Sequence, residues 1–268
     1  VFLTRRQVSL AAVAAVPLAL SGIGTAQAAQ RHRTLYIAGD STAAQKYADA
    51  APETGWGMAL PFFLRKDVIV ANHAVNGRSS KSFIDEGRLD VILGLIKPGD
   101  LLLIQFAHND EKSDDPTRYT EPWTTYQEYL RQYIEGARSH GARPVLATPV
   151  ERRRFDANGN AVPTHGEYPA AMRALAGQER VALLDVEALS LALWQRLGVE
   201  ETKVYFNWTA TEQDNTHFNP PGAIAVARLV ARELLRTRVL ALRDVIRLND
   251  EIPTSWITWP EASSASVA

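Results

Sequence analysis

Apolar positions along the chain fall into two rhythms. Short unbroken apolar runs occur at Leu35–Ala38, Val68–Ala71, Leu101–Phe106, Pro144–Ala147 and Val181–Val186. They do not alternate with polar residues, as expected of strands buried on both faces of a parallel sheet. Helical spacing separates them. Tyr126, Tyr129, Leu130, Tyr133, Ile134 and Ala137 form one apolar stripe, with Glu128, Arg131, Gln132, Glu135 and Arg138 on the opposite face. Gly141 ends this helix. A further helix is expected from Pro220, with Asn219 as its cap and Arg228, Arg232 and Arg236 on its polar face. Strand–helix–strand units with short links predict an α/β fold around a parallel sheet.

The first residues follow neither rhythm. A basic start containing Arg5-Arg6, an apolar run from Val8 to Leu20, and the small residues Ala26-Gln27-Ala28 read as a secretory signal peptide over residues 1–28. The paired arginines resemble a twin-arginine signal, with the Sec route as the alternative, so export is expected. The apolar run is too short and alanine-rich for a membrane span. Residues 29–260 are expected to form one domain, and residues 261–268 a frayed tail that Trp256 and Trp259 could pin to the body.

Composition narrows the chemistry. With 46% hydrophobic and 22% charged residues among 268, the chain can bury a sizeable core. A formal net charge of −1 gives no general attraction for nucleic acid or anionic membrane. The absence of cysteine excludes disulfides, a thiol nucleophile and thiolate metal ligation.

The remaining polar motifs sit where such sheets bind ligands, beyond the carboxyl ends of the strands. Gly39-Asp40-Ser41-Thr42 follows the first strand, Asn76-Gly77-Arg78-Ser79-Ser80 the second, and His108-Asn109-Asp110 the third. Asp214-Asn215-Thr216-His217 precedes the helix at Pro220 and is expected on a turn. Each alone has a structural reading: Ser41 as a helix cap, Gly77 as a plain turn, an Asp-x-x-His arising by chance. His108 invites a metal, but no second ligand stands at suitable spacing with it. Together they supply an acyl-transfer site: a serine nucleophile, a histidine base, an aspartate to fix the histidine tautomer, and donors for an oxyanion.

Ser41, Gly77, Asn109 and His217 match the four blocks that name the SGNH hydrolase superfamily. Gly55-Trp56-Gly57, Asn76–Ser80, Gln105–Asp110 and Asp214–Asn219 resemble the rhamnogalacturonan acetylesterase family within it. Thr42 departs from the leucine of the wider GDSL pattern, and Ala107 stands where glycine is expected. The resemblance spans about Thr34 to Leu235. It implies a flavodoxin-like three-layer α/β/α sandwich with a central five-stranded parallel sheet and no metal or other cofactor. It also implies catalysis by Ser41, Asp214 and His217, with an oxyanion hole of the Ser41 and Gly77 N–H groups and the Asn109 amide. The expected substrate is an acetylated polysaccharide, first of all rhamnogalacturonan pectin. Acetylated xylan or small acetyl esters are the alternative, and an inactive carbohydrate-binding protein is the alternative of another class. Asn76, Arg78, Trp56 and Arg152 are candidates for substrate contact. Tyr119, Trp123, Phe206 and Trp208 lie in nearby loops, and Arg152-Arg153-Arg154 could attract an acidic sugar.

Overall fold

The computed structural model describes residues 32–262. The expected signal segment lies outside them, as does most of the expected tail. Five strands, β1 (Arg33–Gly39), β2 (Val68–Asn72), β3 (Leu101–Gln105), β4 (Arg143–Ala147) and β5 (Ala182–Leu184), form one sheet in the order β2-β1-β3-β4-β5. All its pairings are parallel. Each apolar run of the sequence becomes a strand, with small changes of boundary, and the fifth is shortened most. Asp185 caps a helix at the end of the fifth run, so Val186 opens that helix instead of closing the strand.

The absence of alternation has its cause in two cores. Side chains of a strand point to opposite faces in turn. Leu35 and Ile37 of β1, Leu101 and Leu103 of β3, and Val145 of β4 enter one buried cluster. Tyr36, Ala38, Leu102, Ile104 and Leu146 enter the other. Helices α1 (Trp56–Ala59), α6 (Val186–Glu201) and α7 (Pro220–Arg236) cover the first face. Helices α2 (Ser80–Asp85), α3 (Arg88–Leu95), α4 (Gln127–Ser139) and α5 (Tyr168–Glu179) cover the second. The result is a three-layer α/β/α sandwich.

Helix α4 buries Leu130, Tyr133, Ile134 and Ala137 of the expected stripe, and Gly141 follows it at φ 69°. Helix α7 begins at Pro220 after Asn219, although the Asn219 side chain makes no capping bond. The polar face of α7 is partly covered: Arg228 and Arg232 both donate to the Leu248 carbonyl. Trp259 donates to the Glu53 carbonyl at 2.8 Å.

One element was not expected. Strands β6 (Phe206–Trp208) and β7 (Gln213–Phe218) make a separate antiparallel hairpin. Asp214 and His217 therefore lie on a strand, not on a bare turn. An odd spacing normally sends two strand residues to opposite faces. Here Asp214 Oδ1 accepts from the N–H groups of Thr216 (2.6 Å) and His217 (3.0 Å), an Asx-type turn that bends β7 and returns His217 to its own carboxylate.

Candidate active site

The strand order reverses at β1, and the crevice of such a sheet opens between β1 and β3 at their carboxyl ends. Gly39 and Gln105, the last residues of those strands, are paired across the sheet. Ser41 and Asn109 follow immediately, on either side of the crevice. The segment after β2 enters the same place, because the Val75 N–H donates to the Gly39 carbonyl at 3.0 Å.

Three residues expected to act together meet. His217 Nε2 lies 2.8 Å from Ser41 Oγ, and His217 Nδ1 lies 2.6 Å from Asp214 Oδ2. Burial alone would raise the Asp214 pKa. The hydrogen bonds from the His217 ring and backbone, and the nearby ring charge, outweigh it and hold the carboxyl at about 2. Asp214 is then an ionised acceptor at neutral pH. It favours a proton on Nδ1, which leaves Nε2 free to accept from the serine.

The donors gather from three loops. Gly77 adopts φ 75°, a left-handed conformation that glycine takes without strain. Among the described residues, neither the Ser41 N–H nor the Gly77 N–H donates to a protein acceptor. Asn109, 4% exposed, gives one amide hydrogen to the Arg78 carbonyl at 3.1 Å, which leaves its second hydrogen for a ligand. Ala107 is fully buried at φ 159°, close to extended backbone.

Trp56 does not line the site. It is fully buried, and its indole N–H donates to Gln105 Oε1 at 2.9 Å. Its backbone N–H donates to the Thr42 carbonyl, and a Cβ on Gly55 would come within 2.0 Å of the Ala44 carbonyl oxygen. The Gly55-Trp56-Gly57 segment is thus pressed against the backbone that follows Ser41. A side chain that supports the serine loop from beneath cannot also stack on a sugar. Phe206 is likewise fully buried.

Two of the three arginines of the run are engaged by the protein, and Arg154 is exposed. Arg152 pairs with Glu111, whose other oxygen lies 3.1 Å from His165 Nδ1. Arg153 is 9% exposed and stacks over Trp208 at 4.7 Å, with further bonds to Asn215 Oδ1, Thr202 Oγ1 and the Val199 carbonyl. Its backbone N–H donates to the Asn215 carbonyl. Arg153 therefore braces the hairpin that carries Asp214 and His217, and Trp208 is part of the brace. Tyr119 donates to Glu121 and Trp123 to Glu167; the latter tryptophan remains 46% exposed. Arg78 pairs with Glu86 and donates to the Asn76 carbonyl. The Asn76 side chain accepts from Lys46.

The sequence placed Gln105 and Asp110 within a motif but gave neither a role in holding these loops. Gln105 accepts from Trp56 and donates to the Thr148 carbonyl. Its signal was an amide ending an otherwise apolar strand. Asp110 accepts from the Ser80 backbone and side chain and from Thr120, fixing the start of α2. Burial drives the Asp110 pKa up to about 7. Two cavities, of about 750 Å³ and 640 Å³, flank the Gly77-Arg78 segment, and Arg78 borders both. Neither is lined by Ser41 or His217, both of which are half-buried.

Residues 37–223 match the model of the GDSL-like lipase/acylhydrolase family. The chain is 45% identical over 198 residues to a Bacillus subtilis (strain 168) protein named Probable rhamnogalacturonan acetylesterase YesY, covering 74% of this chain and 90% of that one. It is 43% identical over 206 residues to Rhamnogalacturonan acetylesterase RhgT of the same organism, covering 74% and 87%. Among solved structures, the Bacillus subtilis protein YxiM aligns with a TM-score of 0.69 at 32% identity, over 78% of this chain and 57% of that chain. The matched span runs from β1 into α7 and contains the serine, the donor loops and the histidine strand: this chain belongs to the GDSL-like lipase/acylhydrolase family.

Proposed function

We propose that the protein is a serine esterase that removes acetyl groups from rhamnogalacturonan through an acyl-enzyme on Ser41. The observation that carries this reading is the unbroken line of contacts from Ser41 Oγ through His217 to Asp214, at 2.8 and 2.6 Å. Ser41 attacks the ester carbonyl while His217 Nε2 takes its proton. Asp214 keeps the ring in the required tautomer and stabilises its charged form. The carbonyl oxygen becomes negative and receives the N–H groups of Ser41 and Gly77 and the free hydrogen of the Asn109 amide. His217 returns the proton to the departing sugar hydroxyl, and water repeats the sequence to release acetate.

The substrate reading is supported by the names of the two relatives above 40% identity. Acetate release from acetylated rhamnogalacturonan, acetylated xylan and an activated acetyl ester tests it. Fastest release from the first is expected, and an equal or faster rate on xylan would overturn the substrate assignment. No release from any of the three would favour an inactive sugar-binding protein. Asn109→Ala should lower kcat by roughly 10²–10³, about 3–4 kcal/mol, with little change in KM. Full specific activity in that variant would remove Asn109 from the oxyanion hole.

Residues 1–28 are further proposed to direct export by the twin-arginine route, supported by Arg5-Arg6 ahead of a short apolar run. Replacing both arginines with lysine should stop export of the folded enzyme; normal secretion would point to Sec.

A further inference from the structure

Lys46 is an unusual residue to bury. Its side chain is 1% exposed, and it follows Ser41 by five positions on the same loop. Removing an ammonium from water is costly, and fixing a long flexible stem adds an entropic cost. A packed apolar side chain of similar volume would fill the space without either. The charge therefore invites a reason, and its contacts supply one. Lys46 Nζ donates to Asn76 Oδ1 at 2.7 Å and pairs with Glu53 at 2.5 Å.

Asn76 immediately precedes Gly77, so the Asn76 carbonyl and the Gly77 N–H belong to one peptide plane. The carbonyl of that plane accepts from Arg78 Nη1 at 2.9 Å. The N–H points the other way. Lys46 holds the side chain of the same residue from the loop that carries Ser41. The ammonium thus ties the serine loop to the donor loop, and it places positive charge on the residue whose carbonyl shares a peptide plane with the Gly77 N–H.

We propose that Lys46 is a positioning residue for the oxyanion hole, acting through Asn76 to aim the Gly77 N–H and to strengthen it as a donor. The inference rests on the catalytic reading above. It explains why the motif after β2 begins with an amide: Asn76 receives a cation instead of contacting sugar. Glu53 has the opposite effect on the charge term, since its carboxylate offsets the ammonium without touching Asn76.

The test uses an activated acetyl ester, with active sites counted by stoichiometric labelling with a fluorophosphonate. Lys46→Met should lower kcat per labelled site by roughly 10- to 100-fold, as misplacement of a donor does, and change KM little. Asn76→Ala should lose a similar factor. The double variant should be no worse than either single one, because both cut the same link. Glu53→Gln keeps the ammonium on Asn76 and should match or exceed wild-type kcat. Should Lys46→Met fail to fold, Asn76→Ala and Glu53→Gln still separate the two cases. A plain structural ion pair would lower the melting temperature of Lys46→Met and Glu53→Gln in parallel and leave kcat per labelled site unchanged in both. Either wild-type kcat in Lys46→Met and Asn76→Ala, or an equal fall in Glu53→Gln, overturns the proposal. Ser41→Ala in the same assay guards the premise: its retention of turnover would instead overturn the catalytic reading itself.

Discussion

Two aspartate–histidine pairs are tied to the Ser41 loop, and their surroundings give them different chemistry. Asp214 and His217 have side chains 20% and 29% exposed, their contact is 2.6 Å, and the far ring nitrogen reaches Ser41. Asp40 and His108 are 0% and 4% exposed and approach to 3.2 Å without aligning as a hydrogen bond; neither ring nitrogen of His108 has a partner of good geometry. Burial presses the His108 pKa down to about 4, opposed by Asp40 and reinforced by His165. Burial works against the charge of Asp40 too, but His108 and the bonds from Thr42 hold its carboxyl at about 2. The sealed pair therefore rests as a carboxylate beside a neutral ring. A base must gain a proton and lose it again within one turnover. His217, partly open to water, suits the base role proposed for it, while the enclosure of His108 opposes such a role.

The comparison breaks most visibly at the histidines. His217→Ala should lower kcat by a factor on the order of 10⁴ or more, with the fold intact. His108→Gln should remain within about tenfold of wild type at neutral pH, as expected where no proton passes through the ring. A large loss in both, measured on samples with equal melting temperatures, would make the buried pair part of the chemistry. Asp214→Asn sharpens the point. The asparagine oxygen can still accept from Thr216 and His217, so the bend in β7 persists. Its amide would donate to Nδ1 and drive the ring proton to Nε2, the wrong tautomer for accepting from Ser41. A loss of roughly 10⁴ in kcat without loss of stability is expected; near-normal turnover would show that another group orients the ring.

How far the sequence disclosed this arrangement depended on whether a residue's role is local. The sheet was legible because strands buried on both faces must be apolar at every position, as Leu101–Ile104 are. Ser41, Asn109 and the Asp214–His217 spacing were legible because motifs at strand ends converge once the strands are parallel. The hairpin was not, since its strands are short and β7 is polar from Gln213 to His217, which reads as a turn. Trp56 was misplaced for a related reason. An aromatic beside a motif looks like a sugar platform until the Gln105 amide, 49 positions away, claims its N–H. Lys46, Arg153 and the Asp40–His108 contact depend on partners that only folding brings near.

A smaller effect belongs to the sealed pair alone. His108 changes from a pKa of 6.5 when unfolded to about 4 when folded. Between those values the unfolded chain holds more protons, so stability rises with pH and is lost as pH falls from about 6.5 to about 4. Asp110 works in the opposite direction, because its folded pKa of about 7 exceeds the 3.8 of the unfolded group and stability is lost as pH rises between them. The two trends offset one another in the wild type. His108→Gln should expose the Asp110 trend, with the variant gaining stability relative to wild type as pH falls from about 7 to about 4. Denaturant unfolding of both proteins across that range measures the difference directly; parallel curves would mean that His108 is not held neutral.

The smallest expected effect concerns the other end of the sealed pair. The His108 ring packs edge-on against His165 at 4.4 Å, and His165 in turn meets Glu111, the partner of Arg152. Arg152 is the cation that the sequence offered to an acidic sugar. If it received a uronate carboxylate, Arg152→Gln would raise KM on an acidic acetylated oligosaccharide and leave a neutral acetyl ester untouched. In the folded protein Glu111 already occupies the guanidinium, with both side chains only 22–23% exposed. A substrate carboxylate would have to displace a partner that is fixed in place and backed by His165. Arg152→Gln should therefore leave kcat/KM within about fivefold on both substrates, the factor that corresponds to at most about 1 kcal/mol from a screened ion pair. The ratio between the two substrates is the sensitive quantity. A selective tenfold loss on the acidic one would return Arg152 to the binding surface, and it would require Glu111 to swing away when the polymer docks.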